Sequence, residues 1–143
     1  MRTLGFFLMA FAMVTFLGCT KEQWNANKLE GYWDITECEF DDEDMTDIFN
    51  MTLLFLEYKD GEGEVVWTWE AIEDRNMGNI FTGTWELNDK ADEITMEMEY
   101  SSEMDTDLVG DLTIDKDEIE IEGTLQMTEM EDIEVRMVAE KRK

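Results

Sequence analysis

Between positions 93 and 100 the chain alternates without a fault. Ile94, Met96, Met98 and Tyr100 fall on one side, and Glu93, Thr95, Glu97 and Glu99 on the other. Residues two apart share a face only in an extended strand; a helix would spread them around its circumference. One face is oily and the other acidic, so this strand belongs to a sheet with one side buried and one side wet. The pattern returns at 118–127, where Ile119, Ile121, Gly123, Leu125 and Met127 oppose Glu118, Glu120, Glu122, Thr124 and Gln126. It returns again at 132–140, with Ile133, Val135, Met137 and Ala139 inward.

Earlier segments follow the same rule with less contrast. The stretch 64–72 groups Val65, Trp67, Trp69 and Ala71, and 80–87 groups Phe81, Gly83, Trp85 and Leu87. The stretches 31–40 and 48–58 are apolar on both faces in places, which leaves their orientation open, and 107–115 reads as a short strand around Leu112 and Ile114. Between them lie turn-forming runs at 41–47, 59–63, 75–79, 88–92, 101–106 and 115–117, with Asp60-Gly61 the strongest hairpin signal. Short connections favour antiparallel neighbours in chain order. About eight such strands with one apolar face close into a barrel or fold over as a sandwich. A chain of 143 residues without proline cannot blunt sheet edges with that residue, and closure hides them. The predicted fold is an all-β, eight-stranded antiparallel up-and-down barrel.

Charge narrows the function. There are 37 Asp and Glu against 11 Lys and Arg, a formal charge of −26, which argues against nucleic-acid phosphates and an anionic membrane face as partners. Yet 43% hydrophobic and 11% aromatic content is too rich for a disordered acidic tail. Histidine is absent, which excludes His-dependent triads, Cys–His dyads and His-ligated metals. There is no nucleophile elbow, P-loop or dinucleotide fingerprint, and 37 acids make accidental carboxylate pairs meaningless as a glycosidase signal. The expectation is a non-enzyme without cofactor. The carboxylate loop Asp41-Asp42-Glu43-Asp44 lacks EF-hand spacing and reads as solvated, so no metal is expected.

The N-terminus reads as an export signal over 1–18. A basic lead with Arg2 precedes the uncharged apolar run 4–17, too short for a permanent span of about 20 residues. Losing Arg2, the one charged residue of that segment, takes −26 to −27. The ending Phe16-Leu17-Gly18-Cys19 resembles the bacterial lipobox, with Phe16 where that motif usually has Leu. The resemblance implies that Cys19 is lipidated, anchoring the protein at the cell outer membrane with its periplasmic or surface face open; several acyl chains on one residue make such an anchor stable. Only Cys38 then remains, so no intramolecular disulfide is expected. Residues 19–28 read as a polar tether, and 29–141 as the barrel domain.

A short motif occurs twice. Leu29-Glu30-Gly31-Tyr32-Trp33-Asp34-Ile35 and Phe81-Thr82-Gly83-Thr84-Trp85-Glu86-Leu87 both read apolar-x-Gly-x-Trp-acid-apolar. Glycine lets a strand bend, and Trp two positions later points to the same face, where it can plug one end of a barrel. Gly31-Tyr32-Trp33 in the first strand resembles the Gly-x-Trp signature of lipocalins. The order of lipobox, first Gly-x-Trp strand, apolar strand ending in Asp60-Gly61 and second Gly-x-Trp strand is similar to the small lipocalin-like lipoproteins of Bacteroidetes-type bacteria. That resemblance implies an eight-stranded up-and-down barrel, often with no established ligand.

The inward set supplies the candidate ligand-binding residues: Trp33, Trp67, Trp69 and Trp85, with Met96, Met98, Tyr100 and Met137. Trp offers broad flat surface and Met packs adaptably, which suits a small apolar or amphipathic molecule. The same side chains also make an ordinary packed core, the reading given slight preference, since eight strands enclose either a packed core or one small ligand. A filled barrel would instead be a structural or interaction module whose acidic surface meets an envelope protein partner. Finally, Glu97 and Glu99 are expected to repel Glu118, Glu120 and Glu122 if their strands are neighbours.

Overall fold

The computed structural model describes residues 20–101 and 104–143; the leader and Cys19 lie outside the described residues. A helix α1 (Lys21–Leu29) is followed by β1 (Gly31–Phe40), the two-residue β2 (Glu43–Asp44), β3 (Phe49–Phe55), β4 (Gly63–Ala71), β5 (Gly78–Leu87), β6 (Glu93–Ser101), β7 (Met104–Asp115), β8 (Glu118–Met127) and β9 (Ile133–Lys141). Strands β3 to β9 pair antiparallel in chain order, β1 pairs β3 on one side, and β1 pairs β9 on the other. The register from Trp33 opposite Lys141 to Phe40 opposite Val135 closes the sheet into a barrel of eight strands, with β2 an extra strand on β1.

The alternation places the sides as expected. Ile94, Met96 and Met98 are buried while Glu97 and Glu99 face solvent, and Val135, Met137 and Ala139 are buried on β9. Their side chains join Leu53, Phe55, Trp67, Phe81, Trp85, Leu108, Ile121 and Leu125 in one continuous apolar cluster inside the barrel. A tryptophan removes about 200 Å² from water, so each fully buried ring contributes roughly 4 to 6 kcal/mol of gross burial energy.

The two strands whose orientation the sequence leaves open owe that to identifiable irregularities. In β1, Ile35 pairs Ala139 and Glu37 pairs Val138, so Thr36 is an extra residue in a β-bulge. Trp33 and Ile35 turn inward before the bulge, and Cys38 and Phe40 after it, which breaks the period of two. In β3 the inward set is Phe49, Met51, Leu53 and Phe55, and the strand stops there. Tyr58 then folds under the barrel from the following loop and is buried.

Two expectations are corrected, and one condition is settled. The stretch 21–28 is a helix and not a polar tether: Thr20 caps it, its hydroxyl accepting the Gln23 main-chain N–H at 3.1 Å, and Ala26 and Leu29 are buried against the barrel. Part of the expected turn at 101–106 is strand, because β7 begins at Met104 and buries Thr106 completely. Finally, β6 and β8 are not neighbours, since β7 lies between them. The acidic opposition is still there, made by other residues. Glu97 stands opposite Asp107 and Glu99 opposite Asp105, while Asp111 on β7 faces both Glu93 and Glu122.

Candidate ligand site at the barrel mouth

The two ends of the barrel are built differently. One end is closed by α1. The Trp33 indole N–H donates to the Leu29 carbonyl at 2.6 Å, Lys141 Nζ donates to the Lys28 carbonyl at 2.8 Å, and the Tyr58 N–H donates to Glu30 Oε1 at 2.9 Å. The Tyr58 hydroxyl donates to the Glu22 carboxylate, and its ring lies 4.7 Å from Trp85. Burial, reinforced by Glu22, pushes the Tyr58 hydroxyl up to about 12. Both copies of the Gly-x-Trp motif serve this end: Trp33 and Trp85 are fully buried beneath the plug. Gly83 is required because a Cβ there would sit 1.8 Å from the Glu97 carbonyl oxygen. Trp85 in turn leans on Gly63, whose Cβ would meet the indole nitrogen at 2.3 Å.

The other end is a mouth. Here β1 ends, β3 and β5 begin, and β4 and β6 end, so their terminal inward side chains meet. Trp69 lies at the centre, with ring centroids 4.9 Å from Trp67, 5.1 Å from Phe81, 5.4 Å from Phe40 and 5.6 Å from Phe49. The Tyr100 ring lies 5.5 Å from Phe81, tilted by 44°. At this end opens a cleft of about 580 Å³, lined by Phe49, Ala71, Asn79 and Tyr100 from the strands and by Ile48 and Met77 from the loops, with Phe49 and Tyr100 its aromatic members. That volume is in the range of small-molecule sites. A groove of about 590 Å³ on the outer wall is lined by Glu97, Glu99, Asp105 and Asp107 and has little apolar surface to hold a ligand.

The predicted site residues therefore separate. Trp67 and Trp69 pack in the mouth half of the barrel, and of the predicted residues Tyr100 alone lines the cleft. Trp33 and Trp85 sit at the closed end, and Met96, Met98 and Met137 are fully buried in the wall packing, with Met96 paired beside Trp85. Tyr100 has the inward parity assigned to it but is 46% exposed at the rim, so it does not belong to the buried set. Phe40, Phe49, Asn79, Ile48 and Met77 were missed. Asn79 shares the parity of Phe81, which is the signal that would have found it, whereas Phe40 is hidden by the bulge at Thr36.

Four buried polar groups have no hydrogen-bond partner among the described residues: the indole N–H of Trp67, Trp69 and Trp85, and the hydroxyl of Thr106. A buried donor left unmade costs about 1–3 kcal/mol. Trp67, Trp69 and Thr106 belong to the mouth half of the barrel, Thr106 pairing with Met98 and Met127 near the ends of their strands. The lips are acidic, Asp47 and Glu73 lining the cleft itself. Aromatic faces and carboxylates together favour a neutral or cationic guest over an anionic one.

Other candidate groups are accounted for locally. Asp44 accepts hydrogen bonds from the main-chain N–H and hydroxyl of Thr46, which hold its carboxyl below the usual range. Among the described residues no three carboxylates or thiols converge as a metal site. Cys38 is buried, and burial with Asp44 and Glu39 nearby pushes its thiol up to about 12, so it stays protonated and inert at neutral pH.

No family model and no curated protein matches the chain. Its fold is that of closed antiparallel barrels among solved structures. A redesigned β-barrel superimposes with a TM-score of 0.61 at 14% identity over 82% of this chain and 95% of its own. A de novo designed fluorescence-activating barrel gives 0.57 at 16% identity, over 82% and 96%. A redesigned barrel, mFAP1, solved bound to DFHBI, gives 0.59 at 12% identity, over 81% and 97%. These likenesses establish the architecture.

Proposed function

We propose that this chain is a non-enzymatic, lipid-anchored envelope protein of lipocalin-like type, tethered through Cys19 at the outer membrane, whose barrel mouth binds a small amphipathic molecule. The observation that carries the binding role is the mouth itself: a cleft of about 580 Å³ lined by Phe49, Tyr100, Ile48, Met77 and Asn79, with Phe49 packed on the aromatic cluster around Trp69. Such a site suits a flat, neutral or cationic guest. The mFAP1 barrel bound to DFHBI is a precedent for a small guest in this architecture. The anchor rests on the Gly18-Cys19 motif.

The test is a fluorescence titration of the purified protein with neutral, cationic and anionic lipophilic dyes. Saturable one-to-one quenching of tryptophan emission by the neutral or cationic dyes, weakened by Phe49→Leu and Tyr100→Ala, supports the reading. Absence of saturation with every dye would leave the filled barrel as a structural module with an acidic surface. Mass spectrometry of protein from its native envelope reads Cys19 acylation and any co-purifying molecule together.

A further inference from the structure

The cations of this acidic protein are gathered at one end. Helix α1 carries Lys21 and Lys28, the β3–β4 hairpin Lys59, the β5–β6 turn Lys90, the β7–β8 turn Lys116, and the end of β9 with the residues after it Lys141, Arg142 and Lys143. All of these segments belong to the closed end. Only Arg75 and Arg136 lie elsewhere among the described residues. The closed-end segments 21–30, 56–62, 88–92, 116–117 and 141–143 hold eight basic and eight acidic side chains, and are formally neutral. The mouth loops 41–48, 72–77 and 128–132 hold ten acidic side chains against Arg75 alone. The walls and the mouth thus carry −27, and Arg2 of the leader brings the chain to −26.

Two further features mark the closed end. Trp24 on α1 is 58% exposed, whereas the other four tryptophans are 8% exposed or less, and Lys28 Nζ sits 3.5 Å over its ring. Tyr32 is exposed with Arg142 over its ring at 5.3 Å. An amphipathic aromatic ring beside a cation is the pairing that settles at the headgroup level of a bilayer. In addition, Cys19 is one residue before the cap of α1, and α1 is fastened to the barrel, so an acyl chain on Cys19 reaches the helix across about 3.8 Å of backbone.

We infer that the closed end is a membrane-facing surface: α1, with Trp24, Lys21 and Lys28, lies on the phospholipid headgroups, and the mouth opens away from the bilayer. This rests on the lipid-anchor reading above. The anchor supplies the affinity, and the charge asymmetry selects the end that faces an anionic leaflet, because the mouth is repelled and the closed end is not.

The test uses the lipoprotein purified from membranes and reconstituted in vesicles of phosphatidylcholine with and without phosphatidylglycerol. Lipids brominated near the headgroup should quench Trp24, read as the difference between the native chain and Trp24→Phe. A dye on Met77→Cys at the mouth should keep its emission; Cys38 is buried and protonated, so labelling is selective. Replacing Lys21, Lys28 and Lys59 by Glu should reduce the Trp24 quenching in phosphatidylglycerol vesicles and leave the circular dichroism of the barrel unchanged. Acylated protein in which Trp24 escapes quenching, or in which the mouth dye is quenched instead, overturns the inference alone. A Cys19 without acyl chains by intact mass overturns the anchor and the inference with it.

Discussion

The Trp33 indole N–H donates to the main-chain carbonyl of Leu29 at 2.6 Å, which makes the last turn of α1 and the first barrel strand one structural unit. Leu29 is itself fully buried. The helix is therefore part of the core and not an appendage. Leu29→Ala should cost about 2–4 kcal/mol through the cavity it leaves, and Trp33→Phe about 1–3 kcal/mol through the lost hydrogen bond and volume. Urea unfolding followed by circular dichroism checks both; values near zero would mean that the plug is dispensable.

At the mouth, stability and binding should separate by depth. Trp67 is fully buried, so Trp67→Ala should destabilise by about 3–5 kcal/mol. Tyr100 is at the rim, so Tyr100→Ala should leave the unfolding midpoint nearly unchanged. It removes one wall of the cleft, and a guest stacked there should lose about 1 kcal/mol, or roughly fivefold in Kd. Equal effects of Tyr100→Ala on folding and on dye binding would contradict this division.

Where local pattern and tertiary demand coincide, the fold was legible. β6, β8 and β9 show clean alternation because one face is core and the other solvent along most of their length. β1 does not, because the bulge at Thr36 moves the inward set from Trp33 and Ile35 to Cys38 and Phe40. Helix α1 was missed because its nine residues are mostly polar and only Ala26 and Leu29 are buried, so packing and capping rather than amphipathic periodicity select it. The site was half legible. Parity put Trp67, Trp69 and Tyr100 on the inside, but depth along the barrel depends on register, and register alone separates Trp85 at the plug from Trp69 at the mouth.

Gly63 shows how tightly the closed end is filled. A Cβ at this position would approach the Trp85 indole nitrogen at 2.3 Å and Cε2 at 2.8 Å. The ring is fully buried and wedged against Phe55 at 5.0 Å and Tyr58 at 4.7 Å, so it has little room to retreat. Gly63→Ala should destabilise by about 1–3 kcal/mol through overpacking, with the near-ultraviolet tryptophan signal altered. An unchanged melting temperature would show that the ring can shift.

The acidic shell should make stability rise on mild acidification. Asp107 on β7 stands opposite Glu97 on β6 and Gln126 on β8, with Asp105 beside it, and partial burial followed by Glu97 and Asp105 raises its carboxyl above the ordinary value of 3.8. A carboxyl raised in the folded state opposes folding while it is ionised, so its penalty is full at neutral pH and fades as pH falls through its raised pKa. Asp34 behaves in the opposite sense. The Arg142 guanidinium holds it below 3.8, so the stability it contributes is present at neutral pH and is lost only as pH falls below that value. The melting temperature should therefore climb from neutral pH toward the carboxylate range and drop beneath it. Asp107→Asn should raise the neutral-pH value and flatten the climb, and added salt should do the same by screening the β6–β7 repulsion. A melting temperature that falls steadily from neutral pH downward would mean that the opposed carboxylates on these strands carry no cost.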